Sequence, residues 1–310
     1  MNRVLVTPRS LTRDGHPALK RLEEAGYELV FSTPGAQPSE TELFRLLPGC
    51  VGYLAGVEKI SAEVIDAARD LKVIARNGVG IDNIDLDAAR RTHIEIIRAA
   101  GANARGVAEL TIALMFALAR TIPLSDARLK QGNWQRRQGI ELYRRTLGIV
   151  GCGSIGRQVA SLALGLGMQV LAYDPYPDES FRPGGDFQFV DLEDLLAGSD
   201  VISFHCPPAA HGKPVVTRET LARMKKGVYL INTSRACLMD ENDLLEALES
   251  GPVAGLALDV FATEPPGQNR LVAHERSIAT PHIGGFTAES ITRAVESAVQ
   301  GMINFLRSSV

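Results

Sequence analysis

Three charged residues in the second half of the chain each follow a short β-rich run: Arg235 after residues 228–232, Glu264 after residues 256–260 and His282 after residues 278–280. Open parallel sheets bind ligands just past the carboxyl ends of their strands, so all three stand where chemistry is done. An arginine there can grip a carboxylate bidentately and keeps its charge at any working pH. A histidine can give a proton to a developing alkoxide and take it back in the reverse direction. A buried glutamate bonded to that histidine would hold its orientation and raise its pKa. Together the types suit hydride transfer at a carbonyl beside a carboxylate. Each also has a plain alternative: Arg235 a surface cation, Glu264 a turn residue before Pro265-Pro266, and His282 a helix-entry residue.

Upstream, Gly151-Cys-Gly153-Ser-Ile-Gly156 follows a β-rich run at residues 146–150 and precedes a helical pattern from Arg157. Gly151 permits a tight turn, Gly153 lets the backbone approach a pyrophosphate, and Gly156 lets the helix pack closely on the strand. The phosphates would meet the free N–H groups at the helix start. The next run, Val170-Leu-Ala-Tyr-Asp174, ends in an acid that can accept hydrogen bonds from the adenosine ribose and would repel a 2′-phosphate. No arginine in Pro175-Tyr-Pro177 reverses that preference, so NAD is the expected cofactor rather than NADP.

The elements that must carry these residues read as α/β. Runs at residues 4–7, 51–54, 73–75 and 94–97 alternate with helical segments at 19–25, 61–70 and 85–92, the second with Ser61 as N-cap and Val64, Ile65 and Ala68 on one face. A second series begins at Thr146 and continues at residues 170–174, 201–204, 228–232, 255–259 and 277–280. Two doubly wound parallel-sheet domains are expected, a Rossmann NAD-binding domain at residues 99–285 and a flavodoxin-like substrate domain at 1–98 plus 286–310. Residues 99–106 are small and read as a hinge leading into a helix from about Val107. That helix, residues 107–120, is apolar on nearly every face and must be covered all round, either within one subunit or by a second. The last helix, residues 288–306, is expected to pack back on the first domain.

With 310 residues the chain is long enough for two domains. A net charge of -3, with 45% hydrophobic and 22% charged residues, gives no pull toward nucleic acid. The start MNRVLVTP reads as a first strand rather than a signal peptide, and the longest apolar stretch, residues 110–119, falls short of the roughly 20 residues a membrane helix needs. A cytoplasmic protein without a membrane segment is expected. Cys50, Cys152, Cys206 and Cys237 form no Cys-x-x-Cys pair and have no histidine at ligand spacing, so neither zinc nor any other metal is expected. His16, His93, His205, His211 and His274 read as structural or exposed. The apolar helix from Val107 and the segment from Gly132 through Trp134 to Tyr143 point to a homodimer.

The chain also resembles the D-isomer-specific 2-hydroxyacid dehydrogenases, most like the short phosphoglycerate dehydrogenase-type members. The resemblance rests on Arg76-Asn-Gly-Val-Gly-Ile-Asp-Asn-Ile-Asp85, the Gly151–Gly156 motif, Asn232-Thr-Ser-Arg235, Leu258-Asp-Val-Phe261 with Glu264-Pro265, and Thr280-Pro-His-Ile-Gly-Gly285. It implies that Arg235 binds and polarises the substrate, that Glu264 partners His282, and that His282 is the acid/base. It further implies that the Val79 and Gly80 amides hold the substrate carboxylate, with Arg76 and Asn77 beside it. Ser154, Ile155, Cys206, Thr233, Ser234, Asp259, Gly284 and Gly285 would complete the cofactor contacts. A cleft between two domains that closes to exclude water is implied as well. The block His205-Cys-Pro-Pro-Ala-Ala-His-Gly212 departs from the family's H-x-P-L-T pattern, which puts the shape of the adenine-side loop in doubt. Arg76 makes 3-phosphoglycerate the first substrate expected, with hydroxypyruvate or glyoxylate reduction and a non-catalytic NAD-sensing regulator as alternatives.

Overall fold

The computed structural model describes residues 2–208 and 212–308, so His211 lies outside the described residues. The chain divides into two compact units, Met1–Asn103 with Thr287–Val310, and Ala104–Phe286.

The first unit is built on a five-stranded sheet of β1 (Arg3–Val6), β2 (Glu28–Phe31), β3 (Cys50–Ala55), β4 (Val73–Arg76) and β5 (Glu95–Arg98), in the order β2-β1-β3-β4-β5 with every pair parallel. Helices cover both faces, and the strands sort their side chains by the two-residue period of the pleat. Leu5, Tyr53 and Ile74 face one cluster with Val64, Ile65 and Ala88. Val4, Val6, Leu54, Val73 and Ala75 face the other, where Val295, Val299, Met302 and Leu306 of the helix Ala288–Ser308 cover them. The last helix thus returns to the first unit, as expected. A Cβ at Gly52 would lie 2.9 Å from Met302 Sδ, so the strand must be bare where that helix crosses it.

The second unit holds a seven-stranded parallel sheet of β6 (Thr146–Val150), β7 (Gln169–Tyr173), β8 (Phe187–Phe189), β9 (Val201–Phe204), β10 (Val228–Asn232), β11 (Val253–Leu258) and β12 (Ser277–Ala279). Its order, β12-β11-β10-β9-β6-β7-β8, reverses direction between β6 and β9. Ligands of open α/β sheets bind at such a switch point. The helix Ser154–Gly165 packs Val159, Ala160 and Ala163 against Leu147 and Ile149, while Phe204, Leu230 and Leu258 line the opposite face. Both sheets match the two doubly wound domains expected.

Several elements differ from the sequence reading. β2 and β8 were not anticipated; both are short edge strands without a fully buried residue. Ser61 takes the N-cap position of Ala62–Ala67 with extended backbone but makes no side-chain cap hydrogen bond. The boundary between the two units falls at Asn103/Ala104, inside the small-residue segment 99–106; within the first unit Ala99 and Ala102 meet Ala294, and Arg293 Nε donates to the Ala102 carbonyl at 2.8 Å. The following helix begins at Ala104 rather than near Val107. It is not covered all round: Ala108, Leu114, Met115 and Leu118 are buried in the second unit's core, but Phe116 is 38% exposed. The next helix, Ile122–Lys130, buries none of its residues. No single helix among the described residues is long and apolar enough to cross a membrane.

Candidate active site

The glycine turn follows β6 directly and lies at the switch point. Gly151 has φ +95°, and a Cβ there would sit 2.6 Å from the Cys206 amide nitrogen, so the turn and the chain leaving β9 touch backbone to backbone. A Cβ at Gly156 would lie 2.2 Å from the Gly151 carbonyl oxygen, a distance no side chain survives. Gly153 differs, because a Cβ there meets nothing within 4 Å. Its bareness is not demanded by the protein's own packing and fits the close approach of a phosphate group. Gly153 is also the N-cap of the helix Ser154–Gly165, which has neither a side-chain cap nor an acidic residue in its first turn. The start of this helix, at Ser154 and Ile155, is thus left open for an anion. Asp174 stands one residue past β7, its carboxylate fixed by the Cys152 amide at 2.9 Å and the Tyr176 amide at 3.0 Å. These residues fit a dinucleotide.

The three charged residues leave three neighbouring strands of the same sheet at its carboxyl edge, Arg235 after β10, Glu264 after β11 and His282 after β12. Asn232, fully buried at the end of β10, shapes the first turn: its Oδ1 accepts from the Ser234 amide at 3.0 Å and its Nδ2 donates to the Arg235 carbonyl at 2.9 Å. Thr233 Oγ1 meets Thr111 Oγ1 at 3.2 Å, and Ser234 Oγ donates to the Cys206 carbonyl at 2.7 Å, which joins the β9 and β10 loops. Arg235 itself is half-buried, with Nη1 donating to the Ser234 carbonyl at 2.8 Å.

His282 and Glu264 meet, with Nδ1 and Oε2 at 2.8 Å. The other glutamate oxygen, Oε1, accepts from the Phe261 amide at 3.1 Å, so the carboxylate is held by its own loop while it holds the imidazole. The expectation of a buried glutamate is corrected: the Glu264 side chain is 38% exposed, because the loop 262–265 runs over the surface. His282 has φ +53°, in the left-handed region that non-glycine residues rarely enter. Asp259 supplies the compensation. Its carboxylate is buried beneath this loop and accepts from Thr280 Oγ1 at 2.6 Å and from the Ile283 and Gly284 amides at 2.8 Å each. A Cβ at Gly284 would lie 3.0 Å from Asp259 Oδ2, so that glycine serves the grip of the aspartate on the loop. Gly285, two residues beyond Ile283, is half-buried.

Cys206 keeps its proton, since burial pushes its thiol up to about 11. Burial likewise pushes the His205 imidazole down to about 3, which leaves it neutral and paired to Ser203 Oγ at 2.8 Å.

In the first unit, Arg76 ends β4 and Asn77 follows, its amide donating to the Ala55 carbonyl at 2.9 Å. The Arg76 guanidinium bends back, donates to the Asn77 carbonyl and lies over Gly78, where a Cβ would stand 2.6 Å from Nη1. The amides of Val79 and Gly80 reach no acceptor among the described residues. Missed in the sequence reading were Asp259's grip on the histidine loop and a buried glutamate, Glu58. Asp259 was expected among the cofactor contacts rather than as the holder of this loop, and Glu58 gave no signal at all.

Residues 112–284 match the family description "D-isomer specific 2-hydroxyacid dehydrogenase, NAD binding domain". The chain belongs to this family. It is an NAD-dependent oxidoreductase acting on 2-hydroxy acids. It is similar to a hydroxypyruvate reductase of Thermotoga maritima, 41% identical over 258 residues that cover 81% of this chain and 83% of the relative. It is equally similar to a D-3-phosphoglycerate dehydrogenase of Methanocaldococcus jannaschii, 41% identical over 276 residues, 88% of this chain but 52% of that one. The chain therefore spans about half the length of the phosphoglycerate dehydrogenases it matches. Among solved structures, a protein of Thermus thermophilus superposes with a TM-score of 0.89 at 37% identity, over 99% of this chain and 97% of that one.

Proposed function

We propose that the enzyme interconverts a small D-2-hydroxy acid and its 2-oxo acid, with His282 as the acid/base, Glu264 as its positioning partner and Arg235 as the carboxylate-binding, carbonyl-polarising cation. The observation that carries this reading is the 2.8 Å His282–Glu264 pair on the sheet edge that also carries Arg235 and the glycine turn. The Gly151–Gly156 turn, the Ser154 and Ile155 amides and Asp174 would hold the nicotinamide cofactor, which would accept a hydride as NAD+ or supply one as NADH. Cys206, Thr233, Ser234, Asp259, Gly284 and Gly285 shape the rest of the cofactor's surroundings. His282 gives a proton to the carbonyl oxygen as the alkoxide develops, and Glu264 stabilises the imidazolium formed in the opposite direction. In the first unit, the Val79 and Gly80 amides hold the substrate carboxylate, with Arg76 and Asn77 at its side; this unit is the substrate domain. The open Val79 and Gly80 amides support that role.

3-Phosphoglycerate is the first reading of the substrate, because Arg76 adds a cation beside the carboxylate-binding loop. Hydroxypyruvate is the second, favoured by the match to the Thermotoga protein along most of its length and by the way the Arg76 guanidinium is turned onto its own loop. NADH oxidation with 3-phosphohydroxypyruvate, hydroxypyruvate, glyoxylate and pyruvate separates them. The highest kcat/KM with the phosphorylated acid supports the first; a tenfold or greater preference for hydroxypyruvate selects the second.

We also propose a cytoplasmic homodimer. Phe116, Ile122, Leu129 and Trp134 lie close together in sequence and are 38%, 52%, 56% and 81% exposed. Surface apolar groups so concentrated mark an association surface.

A further inference from the structure

Among the described residues, the first unit contains one buried carboxylate that the hydride-transfer chemistry does not use. Glu58 is 2% exposed, in the loop after β3, and its Oε1 gathers three donors: the Thr7 hydroxyl from the end of β1, the Tyr53 hydroxyl at 2.7 Å and the Gly56 amide at 2.9 Å. Tyr53 is fully buried, and burial together with the Glu58 charge pushes its hydroxyl well up, so it remains a donor. The carboxylate also lies flat against Gly56, where a Cβ would be 2.7 Å from Oε2.

The backbone of the same loop holds the loop after β4. Asn83 Nδ2 donates to the Glu58 carbonyl at 2.6 Å and faces the Gly56 carbonyl at 3.4 Å. The Ile60 amide donates to the Asn83 carbonyl at 2.8 Å, and the Asp85 amide returns to the Ile60 carbonyl at 2.9 Å. The segment between the end of β4 and Asp85 includes Val79 and Gly80. It is fixed at its start through Asn77 to Ala55 and at its end through Asn83 to Glu58.

We infer that Glu58 is a positioning residue for substrate binding: its carboxylate locks the 56–58 loop to β1 and β3, and Asn83 transmits that lock to the loop bearing the Val79 and Gly80 amides. The inference rests on the reading that those amides hold the substrate carboxylate. Two amides aimed at an anion bind it well only when their directions are fixed beforehand, since ordering them on binding costs affinity. Glu58 acts before the substrate arrives and touches neither reactant.

The test compares Glu58→Ala, Asn83→Ala and Glu58→Gln, each as the full chain with NADH and hydroxypyruvate. Losing a buried acceptor or the Asn83 bridge is expected to raise the KM for hydroxypyruvate about tenfold, with kcat and the KM for NADH changed by no more than about threefold. Hydrogen exchange of the peptide spanning 77–84 is expected to quicken in both alanine variants. Glu58→Gln keeps an oxygen for the three donors and is expected to restore both readouts. Should Glu58→Ala fail to fold, Asn83→Ala carries the test alone, since Asn83 lies outside the core. Unchanged exchange at 77–84 in the folded alanine variants would overturn the lock. Faster exchange with an unchanged KM for hydroxypyruvate would instead overturn the assignment of Val79 and Gly80 to the carboxylate. A parallel fall in kcat and rise in both KM values, tracking lost thermal stability, would reduce Glu58 to a purely structural role and refute the inference.

Discussion

Replacing His282 by alanine removes the proposed proton donor but leaves the glycine turn and Asp174 in place. Turnover should fall by about 10² to 10⁴, the usual worth of a positioned acid/base, while the NADH dissociation constant stays within about threefold. Stopped-flow turnover beside NADH fluorescence titration measures the two, and undiminished turnover would remove His282 from the acid/base role. Asp174→Ala should lower the ratio of kcat/KM for NAD over NADP, since the repulsion of a 2′-phosphate goes with the carboxylate. His205 makes a different prediction, about stability. Its folded-state pKa is depressed from 6.5 to about 3, so between those values the unfolded chain binds a proton that the folded chain does not. Stability should therefore fall as pH drops below 6.5, by up to about 1.4 kcal/mol per pH unit from this group. His205→Gln should make that acid limb shallower in urea titrations, and an identical slope would mean the ring is not held neutral.

At the scale of elements, the strand β6, its turn and the helix Ser154–Gly165 were legible because one local pattern specified all three: an apolar run, glycines at fixed spacing, then a helical period. The three glycines are nevertheless not equivalent. Gly156→Ala forces a Cβ into the Gly151 carbonyl and should lower Tm along with cofactor affinity. Gly153→Ala meets nothing in the protein and should leave Tm unchanged while weakening NADH binding by tenfold or more, because the new methyl obstructs only the bound phosphates. Equal loss of Tm in both variants would show that Gly153 serves packing instead. The helix from Ala104 carried a weaker signal. Its apolar period placed the helix but started it three residues late, since Ala104 begins it directly after Asn103, whose buried Oδ1 makes no capping hydrogen bond.

For the whole molecule, the exposed apolar residues between Phe116 and Trp134 set the expectation of a dimer. Leu129→Glu combined with Trp134→Arg places charges in that patch and should shift light-scattering mass toward a single chain, with the fold retained by circular dichroism. A wild-type chain that is already monomeric would contradict the proposal. The helix Ala104–Ala119 is apolar on nearly every face, yet its own unit buries only one side of it and leaves Phe116 exposed.

The amino-acid order by itself determined the two parallel sheets, the dinucleotide turn and the identities of Arg235, Glu264 and His282, because strand alternation, glycine spacing and residue type act over a few neighbouring positions. The short edge strands β2 and β8 escaped, whereas β5 and β12, equally without buried residues, were read, so burial alone does not separate them. Tertiary structure alone decided which charges meet. The pairing of His282 with Glu264 spans a helix, a strand and the loops around them, and the loop of the left-handed histidine is held by Asp259, one residue past the neighbouring strand β11. The exposure of Glu264 and the burial of Glu58 were equally unreadable, because the first follows from a loop that runs over the surface and the second from the Thr7 and Tyr53 hydroxyls that two different strands bring to the carboxylate.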